Sequence, residues 1–220
     1  MIIVKAKNIE DAWKDAYEQL VTLKKSNQDQ VLDDSVLLED SATIQIDYDV
    51  QPKLKFRIEN DKFKYLVDYK EFIPSVDYEV VEEEEEYWTG ELYSKDIVSK
   101  VVRHLQDLPT SRRCVIDLWK DEHFEQPELP GACVTYIHFR MKNGGLEMHT
   151  HSRANDVHKL MLMDLHMMNA IHIWVAKRLG VKLMRHVHMV DSLHIFKRDE
   201  GEIEAQLEYL SSLSYSNKLS

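Results

Sequence analysis

Cys133, Arg112, Arg113, Arg153 and Asp164 are the residues of this chain whose types could do chemistry together. A thiolate is a nucleophile, and a positive field beside it lowers the thiol pKa and so activates it. Arg112 and Arg113 open the strand-like run RRCVIDLW, and Arg153 closes LEMHTHSR just ahead of a helix start. Arginines at element ends near a helix N-terminus suit a phosphate. Each residue also has an ordinary alternative. A lone cysteine is more often a small buried hydrophobe, and a single arginine more often a surface ion-pair partner. Asp164 falls in the most apolar stretch, residues 160–179, beside Leu160, Leu162, Leu165 and Met168. An aspartate there lies either on a solvated helix face or inside the protein with a polar group to recognise.

Eleven histidines raise a metal reading. His149 and His151 alternate on one strand, and His186 and His188 on another, so imidazoles of neighbouring strands could hold zinc. His-x-His alone is a weak signal, no carboxylate-rich companion motif accompanies it, and no metal is expected.

The elements that position these residues follow from pattern. Asn8, with Asp11 three residues on, caps an amphipathic helix over 9–25, after a short edge strand at 1–5. Residues 31–58 alternate as strands, and 62–73 have the length of a short helix stopped by Pro74. Five consecutive glutamates at 82–86 make a solvated acidic loop. Ser94 caps a helix that buries Ile97, Val98, Val101, Val102 and Leu105 and ends before Pro109. GACVTYIHFRM and LEMHTHSR are strands joined by a hairpin at Lys142-Asn143-Gly144-Gly145, because Asn-Gly favours a tight turn. The core helix is expected over 156–179 with Gly180 as C-cap, then one or two strands at 185–197, then a helix over 202–213. Strands run together, then a helix, then strands, so the fold class is α+β, a mixed sheet packed with helices.

A chain of 220 residues with 44% hydrophobic content can bury a sizeable core. Its net charge of −11 argues against a broad grip on nucleic acid, although a few placed arginines can still hold a small anion. Two cysteines make no disulfide framework, which fits a reducing, cytoplasmic setting. The N-terminus lacks a basic region before a long apolar run, and residues 160–179 are too polar for a membrane span; no signal peptide and no membrane contact are expected.

The order TSRRCVIDLW, LPGACVTYIHF, the Asn-Gly hairpin, SRANDV, a long helix and SLHIF resembles the thymidylate synthase and deoxycytidylate hydroxymethylase superfamily. The resemblance covers residues 110–199, without a gap from 131 to 199. No single motif carries it; order and spacing together do. It implies one thymidylate synthase-like domain over 1–220, with the family core at 110–199 and a divergent part at 1–109.

The resemblance also implies roles. Cys133 falls on the nucleophile that attacks C6 of a pyrimidine and makes C5 reactive toward 5,10-methylenetetrahydrofolate. Arg153 falls on the arginine that binds the nucleotide phosphate in its own subunit, and Arg112 and Arg113 on the pair reaching it across a homodimer interface. Asp156 falls on the aspartate at the pyrimidine and folate site, and His194 on the histidine that touches the sugar. At Asp164 thymidylate synthases carry an asparagine that matches uracil, whereas cytidylate hydroxymethylases carry aspartate. Cytosine presents an amino donor and an N3 acceptor, which a carboxyl group accepts from and, protonated, donates to.

Other positions depart from the pattern. Val134 stands for a histidine, Leu160 for a glycine, Ala154 for a serine that helps hold the phosphate, and Phe196 for a tyrosine that bonds the sugar. A changed sugar pocket leaves CMP open beside dCMP. Glu59 and Glu71 are the candidates for the family's catalytic glutamate, and the chain's short run after His194 implies a missing or different C-terminal lid. The expected function is folate-dependent C5 hydroxymethylation of a cytidine monophosphate. The alternatives are a divergent thymidylate synthase methylating dUMP, and a nucleotide-binding relative without catalysis.

Overall fold

The computed structural model describes residues 1–23, 35–49, 52, 56–59, 62–65, 97–120, 125 and 132–216, and of 56–59, 62–65, 97 and 213–216 the backbone alone. The glutamate run at 82–86, the Ser94 cap and Glu71 lie outside the described residues.

The described strands are β1 (Ile2–Ala6), β2 (Val36–Asp47), β3 (Phe56–Glu59), β4 (Lys62–Tyr65), β5 (Val115–Asp117), β6 (Val134–Lys142), β7 (Gly145–Asp156) and β8 (Lys182–Phe196). The described helices are α1 (Ile9–Leu23), α2 (Ile97–Asp107), α3 (Met161–Leu179) and α4 (Ile203–Ser216), the last preceded by a 3-10 turn at Lys197–Glu202. Six strands form one mixed sheet in the order β1-β2-β8-β7-β6-β5. The β1–β2 and β7–β8 pairs are parallel and the other three antiparallel. This is the expected α+β arrangement.

Alternation sorts the sheet into two faces. Ala42, Ile44, Ile46, Ile137, Phe139, Met148, Thr150, His186, His188 and Val190 are buried. Between them Thr43, Gln45, Tyr136, His138, His149, His151, Val187 and Met189 are half-buried on the other face. α3 is buried almost all round, from Met161 to Ile173 without a break, so its sequence shows no polar face even though it carries Asp164, His166, Asn169 and His172. A helix of that kind needs internal partners for each polar group. His172 finds one by donating from Nε2 to the Leu146 carbonyl at 3.0 Å.

Local chemistry sets the ends. Asn8 caps α1, its Oδ1 accepting from the Asp11 amide at 2.7 Å. Asn143 and Gly144 take φ of 52° and 75°, the left-handed pair that a two-residue hairpin between β6 and β7 requires. Gly180 closes α3 at φ 69°, with the Val181 amide reaching back to the Ala176 carbonyl.

Three expectations are corrected. Residues 62–65 form a strand rather than the start of a helix: KFKY alternates and pairs with β3 from Phe56↔Tyr65 to Glu59↔Lys62, so cross-strand pairing prevails over helix length. RRCVIDLW supplies only the three residues of β5, because Arg112 and Arg113 are exposed ahead of it. α3 begins at Met161 and not at Asp156, which ends β7. The 185–197 region resolves to the single long strand β8.

Candidate active site

Cys133 sits immediately before β6, half-buried, and its carbonyl accepts from the Arg153 amide at 3.0 Å. The first residue of β6 therefore lies beside the second half of β7, with Val134 paired to Ser152. β7 continues into β8 in parallel register: Ala154 opposite Ser192, Asn155 opposite Leu193, Asp156 opposite His194. The sheet thus places Cys133, Arg153, Ala154, Asp156 and His194 along one end of three neighbouring strands. The first turn of α3 adds Asp164 to that end, since Asn155 Nδ2 donates to Asp164 Oδ2 at 2.9 Å.

Asp164 is 3% exposed, so the solvated-face alternative is ruled out. Asn155 is the residue that sequence pattern did not single out. An asparagine at a strand end looks like an ordinary polar terminus, and only the contact between β7 and α3 reveals its role. Ser152 Oγ and Asn155 Oδ1 are buried there without a hydrogen-bond partner among the described residues.

Asp156 does two things. Its Oδ1 accepts from the His158 and Lys159 amides at 2.9 and 3.2 Å, and its carbonyl accepts from Leu160, so it shapes the turn that leads into α3. Burial pushes its carboxyl above the usual aspartate range, with the facing His194 and the two amide donors working in the opposite direction. His194 approaches the Ser192 carbonyl through Nδ1 at 3.1 Å. A neutral imidazole donating there presents Nε2 as an acceptor. Phe196 stacks edge-on to it with ring centroids 4.7 Å apart.

Arg153 is exposed, and its guanidinium lies over the Trp119 ring at 5.4 Å. Trp119 reaches that place because its amide and that of Leu118 both bond the Thr135 carbonyl beyond the end of β5. Arg112 and Arg113 are not brought to this site within the chain. They precede β5, whose Val115 pairs with His138, five positions along β6 from Cys133, on the order of 17 Å of strand. Glu59 ends β3, in the separate two-stranded sheet.

The histidines split between faces. His149 pairs with Val187 and lies half-buried on the outer face, whereas His186 and His188 are buried, both 2.8 Å from Thr150 Oγ1. His149, His151, His186 and His188 cannot share one ion in this register. Among the described residues, His158, Asp199 and Glu202 place three ligand-type atoms within 4.8 Å of one another. They already serve each other and their neighbours: His158 bonds Tyr17 and Glu202, and Asp199 pairs with Lys159 at 2.7 Å. No described helix is long and apolar enough to cross a membrane.

Comparison with known proteins follows the same lines. Residues 79–214 match the family model described as thymidylate synthase. Curated relatives include a thymidylate synthase of Streptococcus pyogenes serotype M5, 30% identical over 117 residues, covering 51% of this chain and 42% of the relative. A second, from Streptococcus agalactiae serotype Ia, is 32% identical over 105 residues, covering 46% of this chain and 38% of the relative. The matched stretch thus spans less than half the length of either relative. In fold, the chain is similar to a thermostable thymidylate synthase A from Bacillus subtilis, with a TM-score of 0.62 at 16% identity, covering 91% of this chain and 84% of that one.

Proposed function

The chain belongs to the thymidylate synthase family, and on that basis we propose that it transfers a one-carbon unit to C5 of a cytidine monophosphate, dCMP or CMP, giving a 5-hydroxymethyl product. Asp164 carries the choice of base. It is a buried carboxyl braced by Asn155 where the resemblance implies asparagine in uracil-specific members. A carboxyl group accepts from the cytosine amino group with one oxygen and, protonated, donates to N3 with the other. Uracil presents O4 and N3–H in the reverse pattern, and such a mismatch at buried polar groups costs about 1–3 kcal/mol.

Cys133 supplies the nucleophile. Its thiolate forms a bond to C6, the electrons of the C5–C6 double bond move to C5, and C5 becomes the reacting carbon. Arg153, adjacent through its backbone bond to Cys133, holds the phosphate with its fork and adds positive charge near the thiol. His194 Nε2 accepts from a sugar hydroxyl. Ala154 offers the phosphate no hydroxyl and Phe196 offers the sugar none, which relaxes the sugar pocket and admits CMP. The buried Asp156 carboxyl accepts from an N–H donor of a pterin. Bound there, 5,10-methylenetetrahydrofolate supplies the methylene carbon. C5 bonds that carbon, the C5 proton is lost and the carbon–nitrogen bond breaks to release tetrahydrofolate; water then adds to the exocyclic methylene, and release of Cys133 from C6 restores the C5–C6 double bond.

We take residues 1–220 as one domain acting as a homodimer in the cytosol. The half-buried outer face of the sheet, with Tyr136, His138, Val187 and Met189, supports a second copy packed against it. A site completed by the partner also accounts for Arg112 and Arg113 standing far from Cys133 in their own chain. Both cysteines are free thiols, as a reducing compartment requires.

Tritium release from 5-tritiated CMP, dCMP and dUMP with methylenetetrahydrofolate tests the reading. Release from a cytidylate, lost in Cys133→Ser, is expected. The name shared by the curated relatives favours a second reading, methylation of dUMP; release from dUMP alone would establish it. No release from any of them would mean a nucleotide-binding relative without catalysis.

A further inference from the structure

We infer that Asn155 is a second specificity-determining residue, whose carbonyl Oδ1 accepts a hydrogen bond from the exocyclic amino group of the cytosine base. The inference rests on the cytidylate reading above and adds a residue to it. Asn155 is 2% exposed and donates from Nδ2 to Asp164 Oδ2 at 2.9 Å. Oδ2 of Asp164 accepts both in the carboxylate and in the acid that carries its proton on the other oxygen, so this bond sets the Nδ2 end of the amide toward Asp164. The other end, Oδ1, is buried with no hydrogen-bond partner among the described residues. A buried acceptor left unmet is destabilising, and native proteins rarely leave one without a use.

Its place defines the use. Oδ1 is held one amide width from the carboxylate that reads the base edge, two residues along β7 from Arg153, whose amide bonds the Cys133 carbonyl. The cytosine amino group carries two N–H donors. Asp164 takes the one next to N3, and the second, on the C5 side, is the donor that Asn155 Oδ1 lacks. Uracil has only an oxygen at that position and would set two acceptors against each other. Asn155 thus discriminates in the same direction as Asp164 while also bracing it.

Equilibrium binding separates direct contact from bracing. In a Cys133→Ser background, which removes covalent capture, CMP, UMP and the 4-deamino analogue (a pyrimidin-2-one nucleotide) are titrated with and without Asn155→Ala. Direct contact predicts that Asn155→Ala weakens CMP about 10- to 100-fold and the 4-deamino analogue by clearly less, because the analogue loses only the bracing of Asp164 and not a bond of its own. If CMP and the analogue weaken together, Asn155 only positions Asp164 and the inference is overturned. It is equally overturned if the parent prefers CMP and Asn155→Ala keeps that preference in full. A parent that binds UMP as well as CMP would instead refute the cytidylate reading itself. Should Asn155→Ala not give a cooperative melt, Asn155→Leu, which keeps the branched shape without the polar atoms, carries the same comparison.

Discussion

Trp13 donates its indole Nε1–H to the Val157 carbonyl at 2.7 Å, tying α1 to the turn between β7 and α3. One helical turn further on, Tyr17 OH meets His158 Nδ1 at 3.0 Å in the same turn. Asp156 precedes that turn and Asp164 follows it, so the N-terminal helix sets the spacing between two site residues without touching the base. Trp13→Phe should therefore cost about 1–3 kcal/mol by leaving the Val157 carbonyl buried and unpaired. Urea denaturation reads that loss. Nucleotide affinity should fall with it, by less than the effect of removing Asp164; a variant that binds more weakly than Asp164→Ala would contradict this indirect role.

Asp164→Asn should move base preference from cytosine toward uracil. The amide donates to O4 and accepts from N3–H, while its amino end repels the cytosine amino group. The ratio of CMP to UMP affinity is expected to fall by about 10-fold or more, corresponding to one mispaired buried group. Competition titration measures it, and an unchanged ratio would sink the assignment of Asp164 to the base.

How much of this was legible in the sequence depends on the distance over which each constraint acts. Asn143-Gly144 and Gly180 announced their turns because their conformations are local. The α+β class followed from the run of strands around one long helix. The start of α3 was misplaced because Asp156, an apt helix cap, instead caps an intervening turn through the His158 and Lys159 amides. Trp13 bonds a residue 144 positions away, and no periodicity encodes such a partner. Cys133, Asp164 and Arg153 stand out as candidates through their types and order, and the described residues bring them to one end of the sheet. Asn155 escaped because its meaning lies in the neighbour it touches.

Stability should fall in mild acid, because the core holds neutral histidines. Burial depresses His172 and His188 to about 3 and His186 well below its ordinary value. In the unfolded chain each would titrate near 6.5, so below that pH the unfolded state binds more protons. The contribution is complete above about pH 6.5 and is lost progressively as pH falls toward 3, at about 2 kcal/mol per histidine by pH 5. Asp156 acts with the opposite sign, since a raised carboxyl favours the folded state as pH falls. One carboxyl works there against three imidazoles. The urea midpoint should drop clearly between pH 7.5 and pH 5, and His188→Asn should flatten that slope. A midpoint independent of pH would show that these imidazoles are not buried as neutral groups.

Arg112 and Arg113 give the test of assembly. They are exposed and precede β5, whose Val115 already pairs five strand positions from Cys133, so in a homodimer they serve the partner's site or none. Cys133→Ser alone and the double variant Arg112→Ala/Arg113→Ala should each be nearly inactive. Mixed in equal amounts and allowed to exchange subunits, half the dimers become hybrids, each with one site that combines an intact thiol with intact arginines. About a quarter of the wild-type turnover should return. Recovery would show that the arginines act across the interface. A mixture that stays inactive, with subunit exchange demonstrated by mass, would leave them without a role in the partner's site.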